Sequence, residues 1–399
     1  MSWPLVKLKD CCEVVGGATP KREVAEYWSS PDVPWVTPKD ISDLDSPTLN
    51  DAPEYISEAG YRSCSTSILP KGSILVTSRA PIGNIAIAGR DLCTNQGFKS
   101  LVPGDEVDGL YLYYCMKHSS GRLQALGNGA TFKEVSKRIV EDFEIPLPPL
   151  HEQIRIAAVL GKADSIRQKR KRAIQLVDDF LRAVFLDMFG EPVANPKGWP
   201  KMPISSGLKS ITSGWSAAGE NVPCQAGEMG VLKISAVTTG EFKPEENKRV
   251  APETIPKEKR LLFPRKGDLL FSRANTRELV AATCIVGSDV ENVFLPDKLW
   301  LIKTDPGKLL PEFLNYLMWQ PRFKETLTSQ ATGTSGSMLN ISKAKFEETV
   351  AVFPSLTLQK KFAGIYWRIQ GVFEAMTVSS KRAEEVFDSL SLKAFSAQK

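Results

Sequence analysis

Leu69-Pro-Lys-Gly-Ser-Ile-Leu-Val-Thr-Ser-Arg-Ala80 and Phe263-Pro-Arg-Lys-Gly-Asp-Leu-Leu-Phe-Ser-Arg-Ala274 are two versions of one segment. Each runs from a Pro-basic-Gly approach into a short apolar strand and ends on Ser-Arg-Ala. They lie about 200 residues apart, and a period that long fixes the architecture before any single residue is interpreted. Other pairs keep the same frame. Val36-Thr-Pro-Lys-Asp-Ile41 answers Leu232-Lys-Ile-Ser-Ala-Val237, and Leu110-Tyr-Leu-Tyr-Tyr-Cys-Met116 answers Pro311-Glu-Phe-Leu-Asn-Tyr-Leu-Met318. Gly127-Asn-Gly-Ala-Thr131 answers Ala331-Thr-Gly-Thr-Ser335, and Pro148-Pro-Leu-His-Glu-Gln153 answers Pro354-Ser-Leu-Thr-Leu-Gln359. The chain therefore reads as a pseudo-two-fold internal repeat.

Within each half, the first part is rich in Gly, Pro, Ser and Thr. The β-branched runs Ser73–Thr77, Ile82–Ala88, Leu269–Ser272 and Val280–Val286 predict strands, and Gly109–Met116 and Pro311–Trp319 predict helices. The end of each half changes character. From Phe362 the residues Phe362, Ile365, Ile369, Val372, Met376, Ser379, Ala383, Val386 and Leu390 recur at alternating spacings of three and four, a heptad seam. The first half carries a less regular stripe of Ile156, Leu160 and Ala163, then Ile174, Val177, Leu181, Val184 and Met188, interrupted by charge. No proline breaks either stretch, and at 1.5 Å per residue each helix would run about 55–60 Å. Helices that long and one-faced need a partner, and the nearest partner for each is the other.

The expected fold is α+β, with two mixed α/β domains separated and bridged by two long helices packed as a coiled coil. The boundaries are 1–145 for the first domain, 146–192 for the central helix, 193–353 for the second domain and 354–399 for the distal helix. Leu160, Ala163, Ile174, Val177, Leu181 and Val184 are expected to meet the opposite helix or a partner through Ile365, Ile369, Val372, Met376, Val386 and Leu390.

Composition limits the function. The 399 residues are 42% hydrophobic and 24% charged, ample for folded cores. No apolar stretch reaches the roughly 18 residues a membrane helix needs, and the start lacks the apolar core of a signal peptide, so a cytoplasmic (prokaryotic) protein is expected. The seven cysteines are scattered without a Cys-x-x-Cys, which argues against a disulfide framework or a zinc site. The two histidines, His118 and His151, lie in no catalytic pattern. A net charge of +5 permits a nucleic-acid partner without requiring one.

The segment from Ile145-Pro-Leu-Pro-Pro-Leu-His-Glu-Gln-Ile-Arg-Ile-Ala-Ala-Val-Leu-Gly-Lys-Ala-Asp164 through Ala183-Val-Phe-Leu-Asp-Met-Phe-Gly190 resembles the central region of type I restriction-modification specificity subunits. Gly16-Gly-Ala-Thr-Pro-Lys, Tyr27-Trp28, Val33-Pro-Trp-Val-Thr-Pro-Lys-Asp-Ile41 and Asn95-Gln-Gly-Phe-Lys99 are similar to a common target-recognition domain of that family. The resemblance implies sequence-specific binding of double-stranded DNA by a subunit without catalysis of its own. Each recognition domain would read one half of a bipartite, asymmetric site. The helices would set the unread gap and dock two methylation subunits, and motor-nuclease restriction subunits would join them. S-adenosylmethionine, ATP and Mg would sit on those partners and none on this chain. The second half departs from the pattern: Pro354–Gln359 lacks the double proline and the Glu before Gln, and no counterpart of Asn95-Gln-Gly is evident near Pro296-Asp-Lys298.

Base edges are read by Arg or Lys at guanine and by Asn or Gln at adenine, while phosphate contacts only position the protein. Polar and basic residues beside loop glycines are the natural candidates. In the first half these are Thr19, Lys21, Arg22, Thr37, Lys39, Ser78, Arg79, Asn95, Gln96, Lys99, Asn128, Thr131 and Lys133. In the second they are Trp215, Lys233, Ser235, Arg273, Asn275, Arg277, Lys298, Thr334 and Ser337. Gly127–Thr131 and Gly333–Ser337 offer backbone N–H groups to phosphate but lack the Gly-Lys-Ser/Thr ending of a nucleotide loop. The run Arg167-Gln-Lys-Arg-Lys-Arg172 reads as a solvated face, with a phosphate contact or an acidic partner as alternatives. Trp28, Trp35, Trp199 and Trp215 read as core or interface, with stacking on a base as the alternative.

No Asp/Asn-Pro-Pro-Tyr/Phe, Gly-x-Gly-x-x-Gly or Walker loop occurs, and neither Pro31-Asp32 nor Pro296-Asp297 is followed by a nuclease Glu-x-Lys. Two other readings stay open: a self-contained nuclease or methyltransferase with a diverged site, and a coiled-coil scaffold that binds only protein.

Overall fold

The computed structural model describes residues 3–42, 44, 46–79, 81–129, 133–333 and 338–395. Thr131, Thr334 and Ser337 of the sequence candidates lie outside them. The fold is α+β, and the chain forms two compact units. One comprises Met1–Ala173 with Met376–Lys399, the other Ile174–Ala375. Each unit therefore combines one mixed domain with half of each of two 40-residue helices, Leu150–Phe189 and Leu356–Phe395. No described helix is long and apolar enough to cross a membrane.

In the first unit, a five-stranded sheet orders Cys12–Gly16, Lys99–Pro103, Ile74–Val76, Ile85–Ala88 and Thr48–Leu49. A three-stranded sheet orders Glu54–Ile56, Val33–Val36 and Cys93–Thr94, and Leu5–Lys7 pairs with Glu144–Pro146. In the second unit, Leu208–Ser213, Leu299–Thr304, Leu269–Ser272 and Thr283–Ile285 repeat the first four strands of the larger sheet in the same order. Asn247–Val250, Met229–Leu232 and Val293–Phe294 repeat the smaller sheet, and Lys201–Pro203 with Val350–Val352 repeats the edge pair. Helices Gly109–His118 and Pro311–Met318 occupy matching places. The strand expected over Val280–Val286 is shorter because the chain turns first: Ala281 has φ 63, and its N–H donates to Ser272. Gly83, with φ 87, makes the same bond to Thr77 in the first unit.

The strand register corrects the sequence repeat. Gly72 and Gly267 open equivalent turns, each followed two residues later by its strand, with Ile74 opposite Ile87 and Leu269 opposite Ile285. From there Ser78 corresponds to Arg273, not to Ser272. Ser78 N–H donates to Gly97 O (2.7 Å) and its carbonyl accepts from Val135 N–H (3.0 Å). Arg273 makes the equivalent bonds to Lys298 O (3.1 Å) and from Ile341 N–H (2.9 Å). The shared Ser-Arg-Ala is thus out of register by one residue, which on a strand places a side chain on the opposite face. Arg79 stands where the second unit has Ala274: Arg79 bridges Glu134, and Ala274 pairs with Asn340.

The glutamine at the start of each long helix joins helix to domain. Gln153 is 1% exposed and Gln359 is 0% exposed. The Gln153 Oε1 accepts from Asp108 N–H (2.9 Å), while its Nε2 donates to Glu106 O (2.9 Å) and Pro148 O (2.8 Å). The Gln359 Oε1 accepts from Leu310 N–H (2.9 Å), and its Nε2 donates to Lys308 O (3.1 Å) and Pro354 O (2.8 Å). Each amide thereby fastens the turn that opens its helix to the loop entering the domain's own helix.

The long helices pack antiparallel in the first unit. Arg170 donates to Ser379 O (2.6 Å), while the Arg167 guanidinium lies 4.7 Å from the centre of the Phe387 ring. In the second unit Phe185 and Phe189 meet Phe362 and Phe313 in one aromatic cluster, each ring contributing about 2–3 kcal/mol by burial. Leu160 and Leu181 are buried, and Ala163, Ile174, Val177, Val184, Ile365, Ile369, Met376 and Leu390 are half-buried. Val372 and Val386, expected in the seam, are exposed at 51% and 54%. The inward positions of the distal helix are Phe362, Tyr366, Ile369, Phe373, Met376, Ser380, Ala383, Phe387 and Leu390. The heptad holds, but its alternate members fall one residue later, at Tyr366, Phe373, Ser380 and Phe387, three of them larger aromatic side chains.

On the central helix, the 3–4 rhythm passes unbroken from Ala163 to Ile174 through Arg167 and Arg170, which corrects the reading of Arg167–Arg172 as a solvated run. Arg167 also reaches the 1%-exposed Asp164 (2.6 Å), so its charge is matched inside the seam. Burial holds the nearby Lys117 ammonium below its ordinary value, with Asp164 opposing the shift. Lys169, Lys171 and Arg172 do face solvent.

Replacing Gln153 or Gln359 with Ala removes three hydrogen bonds and strands a part-buried N–H. Each variant should lose roughly 2–3 kcal/mol of stability in denaturant titrations, against under about 1 kcal/mol for the exposed Gln175→Ala on the central helix.

Candidate nucleic-acid interface

Of the polar candidates of the first unit, Thr19, Ser78, Asn95, Gln96 and Lys99 meet at the turn Thr94–Phe98, with Arg79 close by. This turn follows the third strand of the smaller sheet and precedes the second strand of the larger, so both sheets position it. Its backbone is held from beneath: Ala18 N–H donates to Thr94 O (3.0 Å), and Phe98 N–H to Asn95 O (3.3 Å). A Cβ on Gly17 would collide with the carbonyl oxygens of Thr94 and Asn95. The Asn95 side chain accepts from Gly97 N–H (2.8 Å), an Asx turn, so it shapes the loop instead of reaching outward. Gln96 is exposed at the tip, and its Oε1 accepts from the Thr19 hydroxyl. Lys99 lies beside it, donating to Gln96 O (3.4 Å) and Ser78 Oγ (3.5 Å) and facing Glu134 at 3.7 Å. Arg79 faces the same carboxylate at 3.8 Å.

The second unit builds the same turn from different residues. Trp215 N–H donates to Leu295 O (2.9 Å), Leu299 N–H donates to Pro296 O (3.2 Å), and Gly214 lies against the Leu295 and Pro296 carbonyls as Gly17 does against its own loop. Pro296 supplies by its fixed φ the turn that Asn95 supplies by its side chain. The counterpart of Asn95-Gln-Gly, not evident in the sequence, is therefore Pro296-Asp-Lys298. Asp297 takes the place of Gln96, and Ser216 the place of Thr19: the Ser216 hydroxyl donates to Asp297. Arg273 closes the group, with its Nε donating to Asp297 O (2.9 Å) and its guanidinium 3.4 Å from both the Asp297 carboxylate and Asn340 Oδ1.

Other candidates have internal duties. The Thr37 backbone and hydroxyl both donate to Asp40 (2.7 and 2.8 Å). Arg22 binds Glu54, which holds its guanidinium above the ordinary value, and stacks 3.8 Å from the centre of Trp28. Ser78 is fully buried. Ser235 donates to Glu246 (2.7 Å), and Asn275 Oδ1 accepts from Thr276 N–H (2.8 Å). Trp215 stacks on Phe294 (6.1 Å between centres) and carries Lys259 over its ring, so its role is packing. Trp28 and Trp35 pack edge to face at 5.2 Å, and the Trp199 indole donates to Phe189 O. Lys21, Lys39, Lys133 and Arg277 are exposed, and Lys233 and Lys298 half-exposed. Asn128 exchanges both backbone bonds with Glu134 at the base of its Gly loop, as Thr332 does with Asn340. Among the described residues no group of three or more His, Cys, Asp or Glu side chains is placed to hold a metal.

Comparison with known proteins gives these paired turns a context. Residues 2–176 match the family described as type I restriction modification DNA specificity domain. The first domain and the start of the central helix are therefore similar to that family. The chain is 34% identical over 255 residues to the type I restriction enzyme MjaIX specificity subunit of Methanocaldococcus jannaschii, an alignment covering 60% of this chain and 59% of that protein. It spans, then, somewhat under two thirds of the length of that relative. Its fold is similar to the crystal structure of a type I restriction-modification system S subunit from M. genitalium, with TM-score 0.59, 15% identity and coverage of 100% of this chain and 97% of the other. It is also similar, with TM-score 0.50 and 16% identity over 98% and 97% of the two chains, to a structure described under complex assembly and conformational transition of the type I R-M system.

Gly17→Ala and Gly214→Ala should each destabilise the chain by about 1–3 kcal/mol, because loop backbone must move to admit the methyl. Gly16→Ala, where nothing lies within 4 Å, should leave the thermal midpoint within about one degree of the parent.

Proposed function

We propose that this chain is the DNA-recognition subunit of a type I restriction-modification complex and has no catalytic activity of its own. Residues 1–145 and 193–353 act as two target-recognition domains, each reading one half of a bipartite, asymmetric site in double-stranded DNA. The observation that carries this reading is the pair of equivalent loops, Thr94–Phe98 and Leu295–Leu299. They are anchored by the same backbone bonds and glycine contacts yet present different side chains. One scaffold offering two different tips suits a target whose halves differ, whereas a symmetric reader would repeat its tip residues.

The helices 146–192 and 354–399 serve as spacer and as docking surface for two methylation subunits, with restriction motor-nuclease subunits joining the assembly. S-adenosylmethionine, ATP and Mg act on those partners in the prokaryotic cytoplasm. Lys39, Lys133, Arg277 and Lys298, exposed or half-exposed, contact phosphate and position the duplex.

Methylome sequencing of a host with and without this gene, alongside its methylation subunit, tests the proposal. Gain of a split, asymmetric adenine-methylation motif that depends on this chain is the expected result. Cleavage or methylation of DNA by the purified chain alone, given Mg²⁺ and S-adenosylmethionine, would overturn the non-catalytic assignment. Absence of any salt-dependent affinity for duplex DNA in the assembled complex would favour the protein-binding scaffold.

A further inference from the structure

The equivalence of the two loops allows a sharper statement, which rests on the DNA-recognition reading above. We propose that Gln96 and Asp297 are the specificity-determining side chains of the two units: Gln96 reads an adenine in one half-site, and Asp297 together with Arg273 reads a C·G pair in the other.

The geometry of the two turns leads to these residues. In the first unit, Asn95 is committed to Gly97 N–H, and Thr37 to Asp40; Ser78 is buried. Gln96 is the exposed side chain at the apex of the turn. The Thr19 hydroxyl donates to its Oε1, which orients the amide, and its NH₂ group has no hydrogen-bond partner among the described residues. A side-chain amide so held matches the donor and acceptor that adenine presents side by side, N6–H₂ and N7, in the major groove.

In the second unit the same place carries a carboxylate. An acceptor-only group matches the N4 amino group of cytosine and repels the N7 and O6 acceptors of guanine. The one-residue register difference between the units completes this site. Arg273 stands where the first unit has the buried Ser78, and its Nε–H binds Asp297 O at 2.9 Å. The guanidinium is thereby fixed beside the carboxylate while both side chains keep solvent access, at 30% and 44%. A fixed guanidinium next to a carboxylate offers donors for guanine O6 and N7 and an acceptor for the paired cytosine. That is the complement of one G·C pair. In the first unit Arg79 faces the other side of its strand, toward Glu134, so the sequence similarity at Ser-Arg-Ala does not extend to function.

The isosteric variants Gln96→Glu and Asp297→Asn exchange the two chemistries without altering the turn bonds, which are made by backbone atoms and by Asn95 or Pro296. Methylation motifs would be read for the parent and both variants, each co-expressed with the methylation subunit. Gln96→Glu is expected to lower discrimination at one adenine position of one half-site by roughly ten- to a hundredfold, leaving the other half-site unchanged as an internal control of folding and assembly. Asp297→Asn is expected to do the same at one C·G position of the opposite half-site. An unchanged motif in either variant would overturn the assignment of that residue, as would a change in the same half-site for both. Complete loss of methylation by a variant that still co-purifies with its partner would also overturn it, since the side chain would then govern more than one base. A parent chain that yields no motif would instead remove the DNA-recognition reading itself.

Discussion

In each unit one buried amide ties the domain to its half of the helix pair. Gln153 and Gln359 are nearly or fully inaccessible, and each makes three hydrogen bonds of the same kind, to the loop before the domain's helix and to the proline turn before the long helix. A primary amide fits because it supplies an acceptor and two donors from one planar group. A carboxylate would lack the donors, and burying it unpaired would be costly. The domain and its half of the helix pair are thus joined by directional bonds in addition to apolar packing, which by itself leaves rotation weakly specified.

On that base the two domains keep a shared scaffold and vary only what lies at its tip. The order of strands, the edge pair and the glycine beneath the loop recur, while the tip changes from an amide to a carboxylate–guanidinium pair. Conserving the scaffold and changing the exposed side chain is how one fold can read two sequences, because base identity is set by a few donor and acceptor positions while the backbone contacts carry no sequence information. The arginines inside the seam belong to the same pattern of polar groups placed for definition. Arg167 and Arg170 occupy heptad positions yet are matched by Asp164, by the Phe387 ring and by the Ser379 carbonyl. A polar residue at such a position fixes register at some expense of stability.

Much of this was legible in the sequence. The long-period repeat, the two long helices and the strands around Ile74 and Leu269 follow from periodicity and turn residues, which are local signals. Three features were not. The Ser-Arg-Ala match misled because a strand has no marker of register apart from its partner, and the turn glycines Gly72 and Gly267 are offset by one residue relative to it. The equivalence of Asn95 and Pro296 was hidden because a side-chain hydrogen bond and a pyrrolidine ring make the same turn without sharing any sequence. The seam of the distal helix was misphased at Val372 and Val386 because Val and Phe weigh alike in a binary pattern. The helix turns the larger Phe373 and Phe387 inward, half-buried and buried respectively, which removes more apolar area from water. The burial of Gln153 and Gln359 could have been anticipated from their recurrence in both halves at the same distance after a proline.

The most direct test is the structure of this chain assembled with the proposed methylation subunit on a duplex that carries both proposed half-sites. The account predicts that Thr94–Phe98 enters the major groove of one half-site and Leu295–Leu299 that of the other. Gln96 and Asp297 would lie within hydrogen-bonding distance of base edges, and no residue of either long helix would touch a base. Base contacts made by the long helices, or a duplex engaged by only one of the two units, would contradict it.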